Sequence, residues 1–344
     1  MKPLLLLCAC ALLLAQGAAF GQSVIDVSKS GTVAATFLEI PVGAAAIGLG
    51  GAFVSVANDA TTLFWNPAGA ASFDRNEVVV QHTTWIADTR HDFAAIVMPL
   101  GSFGTLGLSF ISLSMPDMAV RTIDRPEGTG EFFSAGDLAV GLSYARRLSD
   151  RFAIGFTAKY IQESIWHETS SAMAIDAGTT FRTDLLGGLT IGASLSNFGT
   201  TMQMNGRDTR QFLSVDPTKL GSNDRIPSAI ELDSWDLPLL FQFGISTSPV
   251  RSEEFRWTVA VDATHPSDDY ESVNLGTELA YREFLFLRGG FNSLGLKTAE
   301  GGLCLGVGLV STPLFEGFEV KFDYAFRSMG RLDNVHVIQV GLRF

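Results

Sequence analysis

Read two residues at a time, most of this chain sorts its side chains onto two faces. Phe318, Val320, Phe322, Tyr324 and Phe326 share one face, and Glu319, Lys321, Asp323, Ala325 and Arg327 share the other. A period of two belongs to an extended strand, whose side chains point alternately up and down. The pattern recurs from Phe152 to Ile161, Leu189 to Ser196, Phe255 to Thr264, Val273 to Arg282 and Leu303 to Val310. In these the second face is often Gly, Ser, Thr or Ala. A strand of a soluble sandwich alternates too, with its apolar face in a core and its polar face in water. The full set of strands and the segments between them separate the two cases.

Fourteen candidate strands fall near 76–86, 90–99, 104–114, 133–148, 151–166, 170–183, 188–198, 236–247, 255–265, 270–282, 284–292, 301–312, 317–327 and 334–344. Their connections alternate in length. Residues 101–103, 149–150, 184–187, 282–283 and 312–316 are tight and 249–254 is only slightly longer, while 115–132 and 199–235 are long and polar. Segments 265–269 and 328–333 are intermediate, and 87–89 is short where a long one is expected. Short turns on one rim and longer loops on the other are the habit of outer-membrane barrels. The stripe Ile338, Val340, Leu342 and Phe344 gives the last strand an aromatic end, the form of signal that barrel-insertion machinery reads.

Composition agrees. The 344 residues are 47% hydrophobic but only 17% charged, where a soluble chain carries about a quarter charged residues. With 10% aromatics the chain is not disordered. Its net charge of −12 argues against nucleic acid, whose binders need a basic face. Residues 1–21 read as a cleaved signal peptide: Lys2, an apolar run from Leu4 to Ala15, and small residues Ala19 and Gly21 before a cut at Gln22. Cys8 and Cys10 leave with it, so Cys304 stands alone and no internal disulfide is available. No later apolar run is long enough for a membrane helix. Export, apolarity and alternation together predict an all-β fold: a 14-stranded antiparallel transmembrane β-barrel over residues 76–344, in the cell outer membrane. Outer-membrane lipid and lipopolysaccharide are its expected surroundings.

Residues 22–75 do not alternate. Phe37-Leu38-Glu39-Ile40-Pro41-Val42-Gly43 leads into a small-residue run ending Gly50-Gly51-Ala52-Phe53, then Asn58-Asp59 and Leu63-Phe64-Trp65-Asn66-Pro67-Ala68-Gly69. Asn58 or Asp59 can cap a short helix, Pro67 ends it or starts another, and Gly50-Gly51 suits a positive φ or a close approach. Too apolar for water, the segment is expected inside the barrel as an N-terminal hatch against the small lumenal residues.

The Phe-Leu-x-Ile-Pro-x-Gly stretch, the Gly-Leu-Gly-Gly-Ala-Phe-Val run and Trp65-Asn66-Pro67-Ala68 resemble the PorV/PorQ family, within the FadL-like superfamily of outer-membrane proteins. The resemblance implies a 14-stranded barrel with an internal hatch. Two positions depart from it: Ala45 and Gly69 stand where basic residues are frequent in the family or in its secretion members.

Enzymatic chemistry finds no foothold. The histidines are His82, His91, His167, His265 and His336. His91-Asp92 and Trp166-His167-Glu168 fall near the outer rim, where a Ser-His-acid arrangement is conceivable, but no nucleophile motif or metal-ligand spacing accompanies them. Gly48-Leu49-Gly50-Gly51 lacks the preceding strand and following Lys-Ser/Thr of a phosphate loop. The acidic segment 265–271 reads as a solvated loop. Catalytic residues, metal and cofactor are therefore all expected to be absent.

Two functions remain open. In the first, the chain takes up small hydrophobic molecules. An outer apolar patch of Met202, Met204, Phe212 and Leu213 would collect them, with affinity from burial at roughly 25 cal/mol per Å². The hatch around Phe53, Phe64, Trp65, Asn66, Pro67 and Ala68 would then shift to pass them on. In the second, suggested by the family resemblance, it is an outer-membrane component of a type IX-like secretion system that binds or shuttles exported cargo. Its partners would then be secretion-system components.

Overall fold

The computed structural model describes residues 29–214, 218, 225–296, 302–311 and 317–344. The expected signal peptide and the tight connection at 312–316 lie outside the described residues. One antiparallel sheet dominates, with fifteen members, one of them the two-residue addition Asn205–Gly206. The other fourteen make the wall: β1 (Glu77–Thr84), β2 (Arg90–Pro99), β3 (Thr105–Ser114), β4 (Ala135–Arg147), β5 (Phe152–Ile165), β6 (Glu168–Thr183), β7 (Leu189–Gly199), β8 (Leu240–Arg251), β9 (Phe255–Pro266), β10 (Ser272–Tyr281), β11 (Leu285–Leu294), β12 (Leu303–Val310), β13 (Glu319–Arg327) and β14 (Val335–Arg343). Each pairs with the next, and β1 pairs with β14 from Glu77↔Arg343 to Thr84↔His336. The sheet is closed, which leaves no strand edge for lipid to meet.

Which face points outward follows the alternation. Phe318, Phe322, Leu305, Leu287, Trp257 and Ile338 are each more than two-fifths exposed on the outside. Asp323, Ala325, Ala260, Cys304, Gln339 and Glu278 are buried within the lumen. Hydrocarbon is the solvent that fits the first set. On one rim the turns are tight. Arg282 and Glu283, for example, both have left-handed φ of 50° and 49°, the geometry of a type I′ hairpin. The other rim carries the long loops and two small ribbons, Met118–Ala119 with Phe132–Phe133 and Arg210–Leu213 with Ile226–Ala229. The connection at Ile86–Asp88 is a single turn, so β1 and β2 form the one low hairpin noted on that rim. By loop length the tight-turn rim is periplasmic and the long-loop rim external.

Residues 29–75 fill the barrel. They fold into a helical turn at Thr36–Glu39, helix α1 (Ala44–Gly48), helix α2 (Thr62–Trp65) and a second turn at Pro67–Ser72. Pro67 starts that second turn, where its missing N–H costs nothing. Asp59 does not cap α2 in the strict position, which Thr61 occupies. Its Oδ1 instead accepts from the amide of Thr61 at 3.1 Å and from the Thr61 hydroxyl at 2.5 Å, just ahead of the helix. From Val42 to Ala71 nearly every residue is buried.

Candidate functional site: the plugged lumen

Helices this short leave many backbone N–H groups without an internal partner. The wall supplies the acceptors. Ala35 N–H donates to Glu163 Oε1 at 2.9 Å, Ala44 to Gln339 Oε1 at 2.8 Å, Val54 to Asp262 Oδ2 at 2.8 Å and Ala60 to Glu77 Oε1 at 2.9 Å. Gly43 donates to Gln81. These five wall residues come from β5, β14, β9 and β1, so the plug is tied around much of the circumference.

The second fixing device is absence of side chain. A Cβ on Gly192 would stand 2.5 Å from the Val54 carbonyl oxygen, and one on Gly276 2.5 Å from that of Leu49. Gly155 backs onto Pro67 and Ala68, Gly178 onto Asn66, and Gly290 onto Leu49 and Gly50. At Gly155, Gly192, Gly276 and Gly290 main chain lies on main chain, and at Gly178 the buried Asn66 side chain takes the space. The small lumenal face of the strands is thus the imprint of the plug. Gly50 itself has φ of 67° and abuts the Phe291 amide and the Leu275 carbonyl, so it answers both needs expected of it.

Asn66 is the most heavily used side chain of the segment. Its Oδ1 accepts from Ala68 N–H at 3.1 Å, while Nδ2 donates to the carbonyls of Val54 at 2.9 Å and of Thr179, on β6, at 3.0 Å. One buried amide therefore joins two parts of the plug to the wall. Trp65 Nε1 donates to the Val42 carbonyl at 2.8 Å, and its ring meets Phe53 and Phe64 edge-on at 6.3 and 5.4 Å. Phe53 is 0% and Trp65 5% exposed, so the aromatic group is consumed in packing. The two departures from the family pattern are explained in the same terms. Ala45 is buried against Leu49, Phe53 and Trp65. A Cβ on Gly69 would collide with Thr62 and Ala57, which leaves no room for a basic side chain.

Charged groups complete the seal toward the periplasmic rim. Arg288 Nε donates to Glu278 Oε2 at 2.7 Å and its Nη1 to Asp323 Oδ1 at 2.6 Å, all three side chains being at most 2% exposed. Lys321 bridges Asp323 at 3.2 Å and Asp59 of the plug at 3.6 Å. Arg343 holds Glu77 at 2.5 Å and donates to the Asn58 carbonyl at 3.1 Å. Of the lumenal charges on β13, only Lys321 and Asp323 pair with each other. Glu319 turns to Arg343, and Arg327 to Asn292. On the opposite side Lys159 pairs with Asp176 at 2.9 Å. Asp176 also accepts from the amide of Asn197, where β7 bulges with a φ of 65°.

The external residues are dispersed. Met202 is 2% exposed and joins the core, Met204 is half-buried, and Phe212 and Leu213 are 71% and 51% exposed on their ribbon. Phe344 lies on the outer surface, its ring stacked on Phe318 at 6.1 Å. Four histidines are paired: His82 with Asp92, His167 with Asp208, His265 with Glu271 and His336 with the Tyr324 hydroxyl. None of these partners is a serine. His91 is buried, its ring nitrogens unbonded among the described residues. No group of three His, Cys, Asp or Glu side chains among the described residues is placed to hold a metal.

Open space lies at the two rims. A polar vestibule of about 990 Å³ opens beneath the plug at the tight-turn rim, bounded by Ser55, Asn58, Arg182, Arg251 and Arg256. A recess of about 590 Å³ lies toward the long loops, between Tyr160, Gln162, Ser171 and Gln203.

Comparison with known proteins places this architecture. The family model for "Type IX secretion system protein PorV" matches residues 24–207. A search of the curated proteins finds no match. Among solved structures the chain resembles a Pseudomonas aeruginosa FadL homologue (TM-score 0.51, 11% identity, 89% of this chain and 98% of that one). It also resembles the Pseudomonas putida toluene transporter TodX (0.52, 12%, 88% and 97%) and the Ralstonia pickettii toluene transporter TbuX (0.50, 11%, 88% and 98%). At such identities the likeness is one of fold.

Proposed function

The chain belongs to the PorV family of type IX secretion system proteins, and from that premise we propose that this outer-membrane barrel docks or shuttles exported protein cargo rather than conducting small molecules. The observation that carries the reading is the seated plug. A conduit for hydrophobic molecules needs an apolar way past residues 42–71. That stretch is bonded to the wall through its backbone and lies on glycine main chain. Its aromatic group, Phe53, Phe64 and Trp65, is spent on internal contacts. Apolar side chains stand free on the external rim instead: Met118, Phe132, Phe212 and Leu213 are 51–71% exposed. They sit on two separate ribbons of the long-loop rim, and in this reading those ribbons are the surfaces that meet cargo.

The test compares a host strain with and without the gene. Loss of the gene should trap exported proteins in the periplasm and leave entry of radiolabelled fatty acid and of toluene unchanged. Normal export, together with saturable gene-dependent uptake of either compound, would overturn the proposal and restore the transport reading.

A further inference from the structure

The vestibule under the plug is not electrically balanced. Arg256, on its wall, is held by Glu278 and Glu283, and Arg343 by Glu77 and Glu319. Arg182 and Arg251 have no carboxylate partner among the described residues, and Arg147 reaches only the Ser72 carbonyl at 3.4 Å. Of the acids lining the space, Asp184 is taken by Arg151, Glu283 by Arg256 and Glu319 by Arg343, which leaves Asp150. Two unengaged guanidinium groups, Arg182 and Arg251, thus face one unengaged carboxylate, and Arg147 stands beside them at a side recess. They stand on β4, β6 and β8, along one side of the mouth, and Arg147, Arg151 and Arg182 meet around a side recess against Ala68 and Ser72. In a chain of net charge −12 this local excess is not general solvation.

We propose that this arginine crescent at the periplasmic mouth is a binding site for an acidic peptide segment of a periplasmic protein. A concave, low-dielectric mouth concentrates the field of like charges and draws in the opposite sign. Guanidinium forks match carboxylates two oxygens at a time. Cations on three separate strands suit an extended polyanion better than one small ion, and about 990 Å³ gives room for several residues. The polar lining does not suit lipid tails. Gly188, at the edge, has nothing within 4 Å of where a side chain would start, so a chain can pass there. The inference stands apart from the cargo proposal, which concerns the external rim.

The experiment uses the full mature barrel in detergent micelles and a fluorescein-labelled peptide of about ten glutamates, read by anisotropy at low salt. Saturable binding should weaken at least tenfold in Arg182→Gln/Arg251→Gln, a loss of about 1.4 kcal/mol or more. It should also fall steeply with added salt. Arg182→Lys/Arg251→Lys, which keeps the charges but not the forks, should lose less than the glutamine variant, and heat-modifiable gel mobility would show that both variants are folded. No saturable binding, equal affinity in the glutamine variant, or binding of inorganic phosphate without the peptide would each overturn the assignment.

Discussion

Removing the Asn66 side chain tests whether the plug is held by individual polar contacts or by bulk. Asn66→Ala deletes three hydrogen bonds at 2.9–3.1 Å in a site that is 0% exposed. The Ala68 amide and the Val54 carbonyl lose this partner inside the protein. The Thr179 carbonyl keeps its ladder bond to a neighbouring strand and loses only its second one. A buried polar group left unpaired costs roughly 1–3 kcal/mol, so two such groups put the loss at about 2–6 kcal/mol. At 1.4 kcal/mol per decade, local opening of residues 62–72 should rise by about 30-fold or more. Hydrogen exchange followed by mass spectrometry reads this directly. Peptides covering 62–72 should exchange faster by that factor, while those from β1 and β14 stay as they were. Protection at 62–72 within about threefold of the parent would refute the reasoning, since that is under 1 kcal/mol. The plug would then be retained by shape alone.

Three more outcomes follow from the lumen. Asp323→Asn leaves Arg288 buried with one carboxylate fewer, a change that costs about 3–5 kcal/mol in such sites, and the temperature at which the barrel loses SDS resistance should drop by roughly 5–10 °C. Gly192→Leu forces a side chain against the Val54 carbonyl. It should strip protection from amides 53–56 while the strands remain folded, as seen by exchange and far-UV circular dichroism. The last concerns pH. Burial, with Asp268 and then Asp269 adding to it, raises the carboxyl of Glu39 in the plug from 4.5 to about 7. An acid with a raised folded pKa binds protons more tightly when folded, so its favourable share is complete below pH 4.5 and fades as pH rises to about 7. Amides 36–40 should therefore open more readily at pH 7.5 than at pH 5 after correction for intrinsic exchange, and Glu39→Gln should abolish the difference.

The wall was legible because lipid and lumen impose a strict period of two, and Phe318 to Arg327 obeys it without exception. The plug was legible as a misfit: residues too apolar for water and without alternation have one dry place left. Its fastening was hidden. That Gly178 serves Asn66, and Gly192 serves Val54, depends on the register of strands more than a hundred residues away. Nothing local in Gly192-Ala193-Ser194 distinguishes it from a flexible spot. Met202 misled for a similar reason, since a methionine in a polar loop reads as exposed until the chain is seen to bridge Met202 with Trp235 and fold inward. The unpaired state of Arg182 and Arg251 is equally invisible in one dimension, because it is defined by which acids their neighbours have already claimed.

The hoop joins its first strand to its last, and the insert it encloses is the segment made before either. Asn292 bonds to Gly50 across 242 positions, and Arg343 to Asn58 across 285. Until synthesis is nearly finished, several of the insert's seats do not exist. The leading segment must therefore wait, unsheltered, for strands that arrive at the end, and it must be inside before the seam between β1 and β14 zips. Assembly of this molecule is a problem of timing, and whatever keeps those early residues from aggregating meanwhile is as necessary as the seam itself.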